Sequence, residues 1–400
     1  MRVDILSKEY PPNVYGGAGV HVDELVKALR ARGDIDAQVR AFGNVQVEPG
    51  TTGYLDLPQL SSANPTLQTL GVDVQIAADC GGTDLVHSHT WYANMAGHLA
   101  SLLHGVPHVI SAHSLEPLRP WKAEQLGGGY RISSWVEKTA YEAAAAVIAV
   151  SHGMRADVLK CYPSIAPEKV KVVHNGIDAA QWQPDRSGSA YDVLKEYGVD
   201  PDAPTVVFVG RITRQKGLPY LLRACAQLPP GVQLVLCAGA PDTQEIRIEV
   251  EALIEELRKT RDGVFWIAEM LPRSKVIALL SMATVFVCPS VYEPLGIVNL
   301  EAMACEAAVV ATRTGGIPEV VVPGETGWLV DIEQVDDGTG TPVDPQRFVD
   351  DLAATLTEAV ADRDRAREYG FAGRRRAVDQ FSWTSIGDQT MEVYRGVLMR

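Results

Sequence analysis

Four hundred residues are enough for two domains, and 46% apolar with 22% charged residues is ordinary for a globular protein. A net charge of −14 and a pI near 5.1 argue against nucleic acid or an anionic membrane surface as partner. No apolar run reaches the eighteen or so residues of a membrane span. Met1-Arg-Val-Asp-Ile-Leu6 enters a strand pattern at once, without a cleavable signal. Cys80, Cys161, Cys225, Cys237, Cys288 and Cys305 show no Cys-x-x-Cys and no matching His spacing. They read as core residues in a reducing cytoplasm, neither a zinc site nor a disulfide framework.

Val3 to Leu6 predicts a first strand. The loop Lys8 to Gly19 then leads into a helix to about Arg32, with Val22, Leu25, Val26 and Leu29 on one face. Gly16, Gly17 and Gly19 let the backbone approach a ligand at a helix N-terminus, although Gly-Gly-x-Gly is not the dinucleotide fingerprint. Residues 46–70, rich in Pro, Gly, Ser and Thr, read as irregular connection. Strands follow at 84–89 and 109–113, closed by His89 and His113. Ligands of open α/β sheets bind at the carboxyl ends of strands, so both histidines are candidates. Between 114 and 131 lie Arg119, Trp121, Lys122, three glycines at 127–129 and Arg131, an unusual loop in an acidic chain. It reads either as flexible surface or as the receptor of a phosphorylated acceptor. A helix over 133–145, a strand over 147–150, a further helix opened by Ser151-His-Gly-Met-Arg155 and a strand over 170–174 complete this half. Arg155 is another candidate anion contact.

Residues 179–204 read as linker plus a short helix, dividing an acceptor-side domain (1–180) from a nucleotide-sugar-binding domain (181–380) and a terminal helix (381–400). The alternation restarts at Val206. In Gly210-Arg-Ile-Thr-Arg-Gln-Lys-Gly217, Arg211 and Lys216 straddle a strand-to-helix turn suited to neutralising a diphosphate. Strands at 233–237 and 264–267 alternate with helices at 243–260 and 272–282. Glu269 and Met270, after a strand end, are candidates to contact the base. The stretch Cys288-Pro-Ser-Val-Tyr-Glu-Pro-Leu-Gly-Ile-Val-Asn-Leu-Glu301 predicts strand, loop and helix, with the helix entered at Pro294. Amides at Leu295, Gly296 and Ile297 then form an anion site. Glu301 lies roughly 9 Å further along the axis at 1.5 Å per residue, the reach from a pyrophosphate to its ribose. Glu293 falls on the other side of the phosphates, where the sugar lies. Strands at 309–312 and 326–330 and helices at 345–361 and 363–380 end the domain. Asp34-Ile-Asp36 has the letters of a metal-binding Asp-x-Asp but sits away from the predicted crevice, so no metal and no cofactor is expected. Arg211, Lys216 and helix amides would carry the leaving charge.

Together these strings resemble the retaining nucleotide-sugar glycosyltransferases of the glycogen synthase and sucrose synthase superfamily (glycosyltransferase family 4). The likeness spans the chain and is most specific at 207–217 and 288–305. It implies the α/β GT-B fold: two doubly wound parallel-sheet domains facing across a cleft, with the C-terminal helix crossing back to the first. It implies that Gly16 and Gly17 face the donor diphosphate, that His113 contacts the donor sugar, and that Arg211 and Lys216 grip the phosphates. The 114–131 loop resembles that of actinobacterial glycogen synthases and maltose-1-phosphate synthases. That subgroup implies ADP-glucose as donor, with glucose 1-phosphate or an α-1,4-glucan as acceptor, retention of α configuration, and a role in glycogen biosynthesis. Sucrose- or mannosyl-type transfer and nucleotide-sugar epimerisation are the alternatives; a homodimer is compatible with the resemblance. One departure is clear: Val14-Tyr-Gly-Gly-Ala18 replaces the Lys-Thr-Gly-Gly-Leu loop of longer glycogen synthases.

Overall fold

The computed structural model describes residues 1–44 and 48–399. The chain divides into two compact units, residues 1–176 with 383–400, and residues 177–382.

The first unit alternates strands β1 (Arg2–Ser7), β2 (Asp36–Phe42), β3 (Thr51–Tyr54), β4 (Leu85–His89), β5 (His108–Ala112), β6 (Ala146–Ala149) and β7 (Val170–Val172) with helices. These are α1 (Gly17–Arg32), α2 (Pro65–Asp79), α3 (Thr90–His104), α4 (Lys122–Leu126), α5 (Gly129–Ala143) and α6 (His152–Cys161). The seven strands are parallel, in the order β3-β2-β1-β4-β5-β6-β7. Their apolar runs are buried on both faces, as a parallel sheet covered by helices requires. The strand order reverses between β1 and β4, which puts the glycine-rich loop and His89 at the switch point.

The irregular connection expected over 46–70 is partly ordered instead. Strand β3 lies within it and helix α2 begins there, where Asn64 caps the amide of Thr66 at 2.9 Å and Pro65 suits a first turn. Residues 45–47 lie outside the described part.

The second unit contains β8 (Thr205–Arg211), β9 (Gln233–Gly239), β10 (Val264–Ile267), β11 (Val285–Cys288), β12 (Ala308–Thr312) and β13 (Gly327–Val330). Its helices are α7 (Gly188–Glu196), α8 (Leu218–Cys225), α9 (Gln244–Thr260), α10 (Arg273–Met282), α11 (Ile297–Ala304), α12 (Ile317–Val320), α13 (Pro345–Ala361) and α14 (Arg363–Gln380). Six parallel strands run in the order β10-β9-β8-β11-β12-β13, reversing between β8 and β11. The loops after those two strands carry Arg211 to Gly217 and Pro289 to Gly296, so this unit's switch point coincides with the two most specific sequence motifs.

The last helix, α15 (Trp383–Leu398), returns to the first unit and packs on α1. Trp383, Ile386, Met391 and Tyr394 enter its core, and the Tyr394 hydroxyl meets His87 Nδ1 at 2.7 Å. Both units are thus doubly wound α/β layers, as the alternation predicts. At the opposite, N-terminal edge of β2, Asp34 is held by Arg32 and Arg395.

Candidate active site

In the second unit, the helix entrance expected at Pro294 lies at Ile297 instead. Gly296 takes φ 92°, a left-handed conformation that a helix cannot include, so α11 starts one residue later and Pro294 stays in the loop. The amides of Ile297 and Val298 precede the first bond of α11, from Asn299 N to the Gly296 carbonyl at 3.0 Å, and retain the character of an anion site. The loop before it folds so that Gly316 N donates to the Glu293 carbonyl at 2.9 Å. A Cβ on Gly315 would fall 1.9 Å from that same carbonyl oxygen, so only glycine admits this approach.

The Glu293 carboxylate is buried, accepting from Lys216 Nζ at 2.7 Å and from Ser290 Oγ at 3.0 Å. Burial disfavours the Lys216 charge, but Glu293 more than offsets this and the lysine pKa is raised. Arg211, partly exposed, donates to Asp242 Oδ1 at 2.9 Å. The structure therefore joins Lys216 to Glu293 and gives Arg211 a carboxylate partner, neither of which sequence spacing reveals.

Glu301 lies on α11, still partly open to solvent, with no side-chain hydrogen bond among the described residues. Loss of hydration pushes its pKa up to about 7, with Arg273 and then Lys216 pulling the other way. Glu269 and Met270 are exposed beyond β10, and Tyr197 donates to Glu269 at 3.2 Å. Arg273 was not singled out by pattern; it opens α10, which sequence reads only as a covering helix.

In the first unit, the backbone amides of Tyr15 and Gly16 donate to Glu9 Oε2 at 3.0 and 2.8 Å. An internal carboxylate therefore already occupies part of the glycine-rich loop, and Gly17 begins α1. His89 ends β4 and His113 follows β5. The residue after His89, Thr90, is held at φ 63°, a strained conformation for a β-branched side chain. His89 Nδ1 and His113 Nε2 are 3.0 Å apart. His21 joins them, its ring centroid 4.6 Å from that of His113. Burial first, and neighbouring imidazoles second, push His89 and His113 well below the usual histidine range, and burial lowers His21 to about 4. All three rings are neutral at physiological pH. The sequence does carry a sign of His21: it heads the Leu25–Leu29 stripe of α1, where a polar residue has no reason to be.

The 114–131 segment is a built structure, correcting the flexible-loop reading. It holds a 3-10 turn at 116–118 and α4. Two buried acids fasten it: Glu137 accepts from Glu116 N at 2.8 Å, and Glu116 accepts from Ser133 Oγ at 2.6 Å. Burial, then repulsion between the two acids, raises the Glu137 pKa. Tyr130 hydroxyl donates to the Glu116 carbonyl at 2.6 Å. Arg119 Nη1 donates to Ser114 Oγ at 3.0 Å, while Arg119 Nε and Trp121 Nε1 are buried without an acceptor among the described residues. Lys122 is buried and Arg131 exposed. Arg155 is apart from these in its bonding: its guanidinium donates to the carbonyls of Val170 and Pro167, a structural use. A cation the sequence did not flag, Lys8, lies 3.8 Å over the Tyr92 ring.

Residues 15–181 match Glycosyltransferase Family 4, and residues 192–376 match Glycosyl transferases group 1. The chain is 56% identical over 399 residues to the alpha-maltose-1-phosphate synthase of Mycolicibacterium smegmatis, covering 99% of this chain and 100% of that one. It is 53% identical over 397 residues to the alpha-maltose-1-phosphate synthase of Mycobacterium tuberculosis, again covering 99% and 100%. Among solved structures, sucrose-phosphate synthase from Thermosynechococcus elongatus superimposes with a TM-score of 0.78 at 26% identity, covering 100% of this chain and 99% of that one. Full-length identity at this level, with two parallel-sheet units whose switch points carry the family's motifs, settles the family. The chain belongs to the family 4 and group 1 glycosyltransferases, and is a hexosyltransferase of the GT-B fold.

Proposed function

We propose that the chain transfers glucose from ADP-glucose to glucose 1-phosphate, with retention, to give maltose 1-phosphate in the cytoplasm as a step toward α-glucan such as glycogen. The observation that carries this reading is the 56% identity, end to end, to a protein named alpha-maltose-1-phosphate synthase. In the reaction the anomeric C–O bond to the diphosphate breaks, a bond to the acceptor 4-oxygen forms on the same face, and the acceptor proton passes to the leaving diphosphate.

The proposed division of labour calls on no metal or cofactor. Lys216, Arg211 and the first turn of α11 would stabilise the developing diphosphate charge, which is the largest resource open to such a site. Glu293, fixed by Lys216 and Ser290, would meet the hexose. Glu301 would accept the ribose hydroxyls, and its unbonded carboxyl supports that role. Neutral His113 would hydrogen-bond the donor sugar. In the 114–131 segment, Arg119 and Trp121 carry unsatisfied donors beside Lys122, a set suited to a phosphorylated sugar.

The test is incubation with ADP-glucose and either glucose 1-phosphate or a maltooligosaccharide, with products resolved by mass spectrometry and anomeric proton couplings. Maltose 1-phosphate with an α linkage is expected. Transfer to the glucan alone, or transfer only from another nucleotide sugar, would overturn the acceptor or the donor assignment respectively.

A further inference from the structure

His21, His89 and His113 are contributed by α1, β4 and the end of β5, and their rings form a closed triangle. Centroids lie 5.4 Å apart for His21 and His89, 4.6 Å for His21 and His113, and 5.3 Å for His89 and His113. One ring nitrogen from each lies within 4.8 Å of the other two. His21 Nδ1 is 2.7 Å from Asn175 Oδ1. A carboxamide oxygen can only accept, so Nδ1 carries the proton and Nε2 presents a bare lone pair. That Nε2 is buried with no partner, and so is Nε2 of His89. With the proton of the His89–His113 contact on His89 Nδ1, His113 Nε2 accepts that bond, so the contact opens when all three rings bind one ion. Two buried nitrogens with no partner among the described residues, on His21 and His89, ask for an electron-pair acceptor.

We propose that these three imidazoles form a binding site for a transition-metal dication of the zinc type, and that its occupancy blocks glucosyl transfer. Imidazole ligands select zinc, copper, nickel and cobalt over magnesium, calcium or manganese. Tetrahedral bonds of about 2.0–2.1 Å set nitrogens about 3.3 Å apart, so the rings need to close by up to about 1.5 Å, within the reach of small side-chain rotations. Three histidines leave a fourth position for water or a substrate oxygen. Asn175 would orient His21 from behind, as outer partners of metal-bound histidines do. His21 and His89 are buried while His113 is partly open, which gives an ion a way in. Metal binding stands independently of the proposed reaction; the blocking of transfer rests on the reading of His113 as a donor-sugar contact. The ion is an inhibitor rather than a requirement, so the metal-free reaction is unaffected by chelators.

The binding arm uses the full chain titrated with cobalt chloride and then zinc chloride. One saturable set of cobalt d–d bands per chain is expected, without a thiolate charge-transfer band, and zinc should displace it. His21→Gln should weaken binding at least about tenfold. A thiolate band, no saturable spectrum, or an affinity unchanged in His21→Gln would overturn the site. Should His21→Gln fail to fold by circular dichroism, X-ray absorption on the zinc-loaded wild-type chain reads the ligands directly, and fewer than three imidazoles would overturn it. The activity arm adds zinc to the transferase assay. Inhibition reversed by EDTA is expected, whereas a loaded chain that transfers glucose at full rate would overturn the blocking claim. If no transfer is seen under any condition, the cobalt arm still decides the metal site, so failure of the proposed reaction cannot be mistaken for failure of this one.

Discussion

Removing the Lys216 charge should cost the second unit several kcal/mol, and this is the sharpest physical test of the site. Lys216 Nζ and Glu293 Oε2 are 2.7 Å apart, with side-chain exposures of only 22% and 8%. In Lys216→Met, Glu293 keeps its bond from Ser290 but is left as a buried carboxylate without its cation. Breaking a buried pair from one side costs about 3–5 kcal/mol; residual solvent access at the lysine favours the lower end, about 3. At about 2–4 °C per kcal/mol for a unit of some 200 residues, the melting point should fall by roughly 6–12 °C. Glu293→Gln should do similar harm by stranding the ammonium. The double variant, with neither charge, should be better than the sum of the singles by at least about 2 kcal/mol. Differential scanning calorimetry suits the assay, since it separates the transition of this unit from that of the other. Single-variant losses below 1 kcal/mol, or an additive cycle, would show that solvent screens the pair and that Lys216 is free to serve the diphosphate alone.

The other predictions concern ligands and pH. Raised to about 7, Glu301 is a group whose ionisation opposes folding, so its contribution to stability declines as pH rises from about 4.5 to 7. A ribose diol binds the carboxylate better than the acid. ADP-glucose affinity, measured calorimetrically, should therefore tighten by up to about tenfold from pH 6 to 8 and release a proton, while Glu301→Gln should be weak and flat. Arg273, Lys216 and Cys305 also face Glu301; the pKa values of Lys216 and Cys305 are raised, away from this range. Activity should persist in excess EDTA; loss restored by magnesium would show a metal-dependent mechanism. Arg119→Ala should raise the Michaelis constant for glucose 1-phosphate at least about tenfold relative to a maltooligosaccharide, since one charge-assisted contact is worth about 1.5–3 kcal/mol. Gly217→Ala should destabilise the second unit by at least about 2 kcal/mol in denaturation, because φ is 65° and its Cβ would fall 2.0 Å from the Pro289 carbonyl oxygen.

The alternation of apolar runs with helical periods is a local signal, and it made both sheets legible. Each buried parallel strand must be a short apolar run, and each crossover must be amphipathic. Boundaries were less legible where glycine intervened: nothing in Pro294-Leu-Gly-Ile297 says that Gly296 is left-handed and delays α11, because that depends on how the loop folds over Glu293. Helix α2 hid behind the Ser- and Pro-rich letters of its own cap. The site divides in the same way. Arg211 ends β8, Lys216 and Glu293 lie in the turns that follow β8 and β11, and Glu301 lies on α11, places that sequence can locate. Their partners cannot be read from order along the chain: Lys216 meets Glu293 across 77 residues, Arg211 meets Asp242 across 31, and His21 meets Asn175 across 154. Such pairings exist only once the strand order is fixed.

That distinction bears on how the two glutamates can act. Glu293 reaches its geometry through a local bond from Ser290 and long-range contacts with Lys216 and the 314–316 turn, all of which must form before it is aimed. Glu301 needs only its own helix, and its side chain has no hydrogen bond among the described residues. Preorganised charge is most effective where the chemistry occurs, because it does not have to be rearranged as the bond breaks. A carboxylate fixed on two sides fits a position against the reacting hexose. A carboxyl whose own environment disfavours its charge gains most from a ligand that supplies hydrogen bonds, and so fits a position that recognises the ribose.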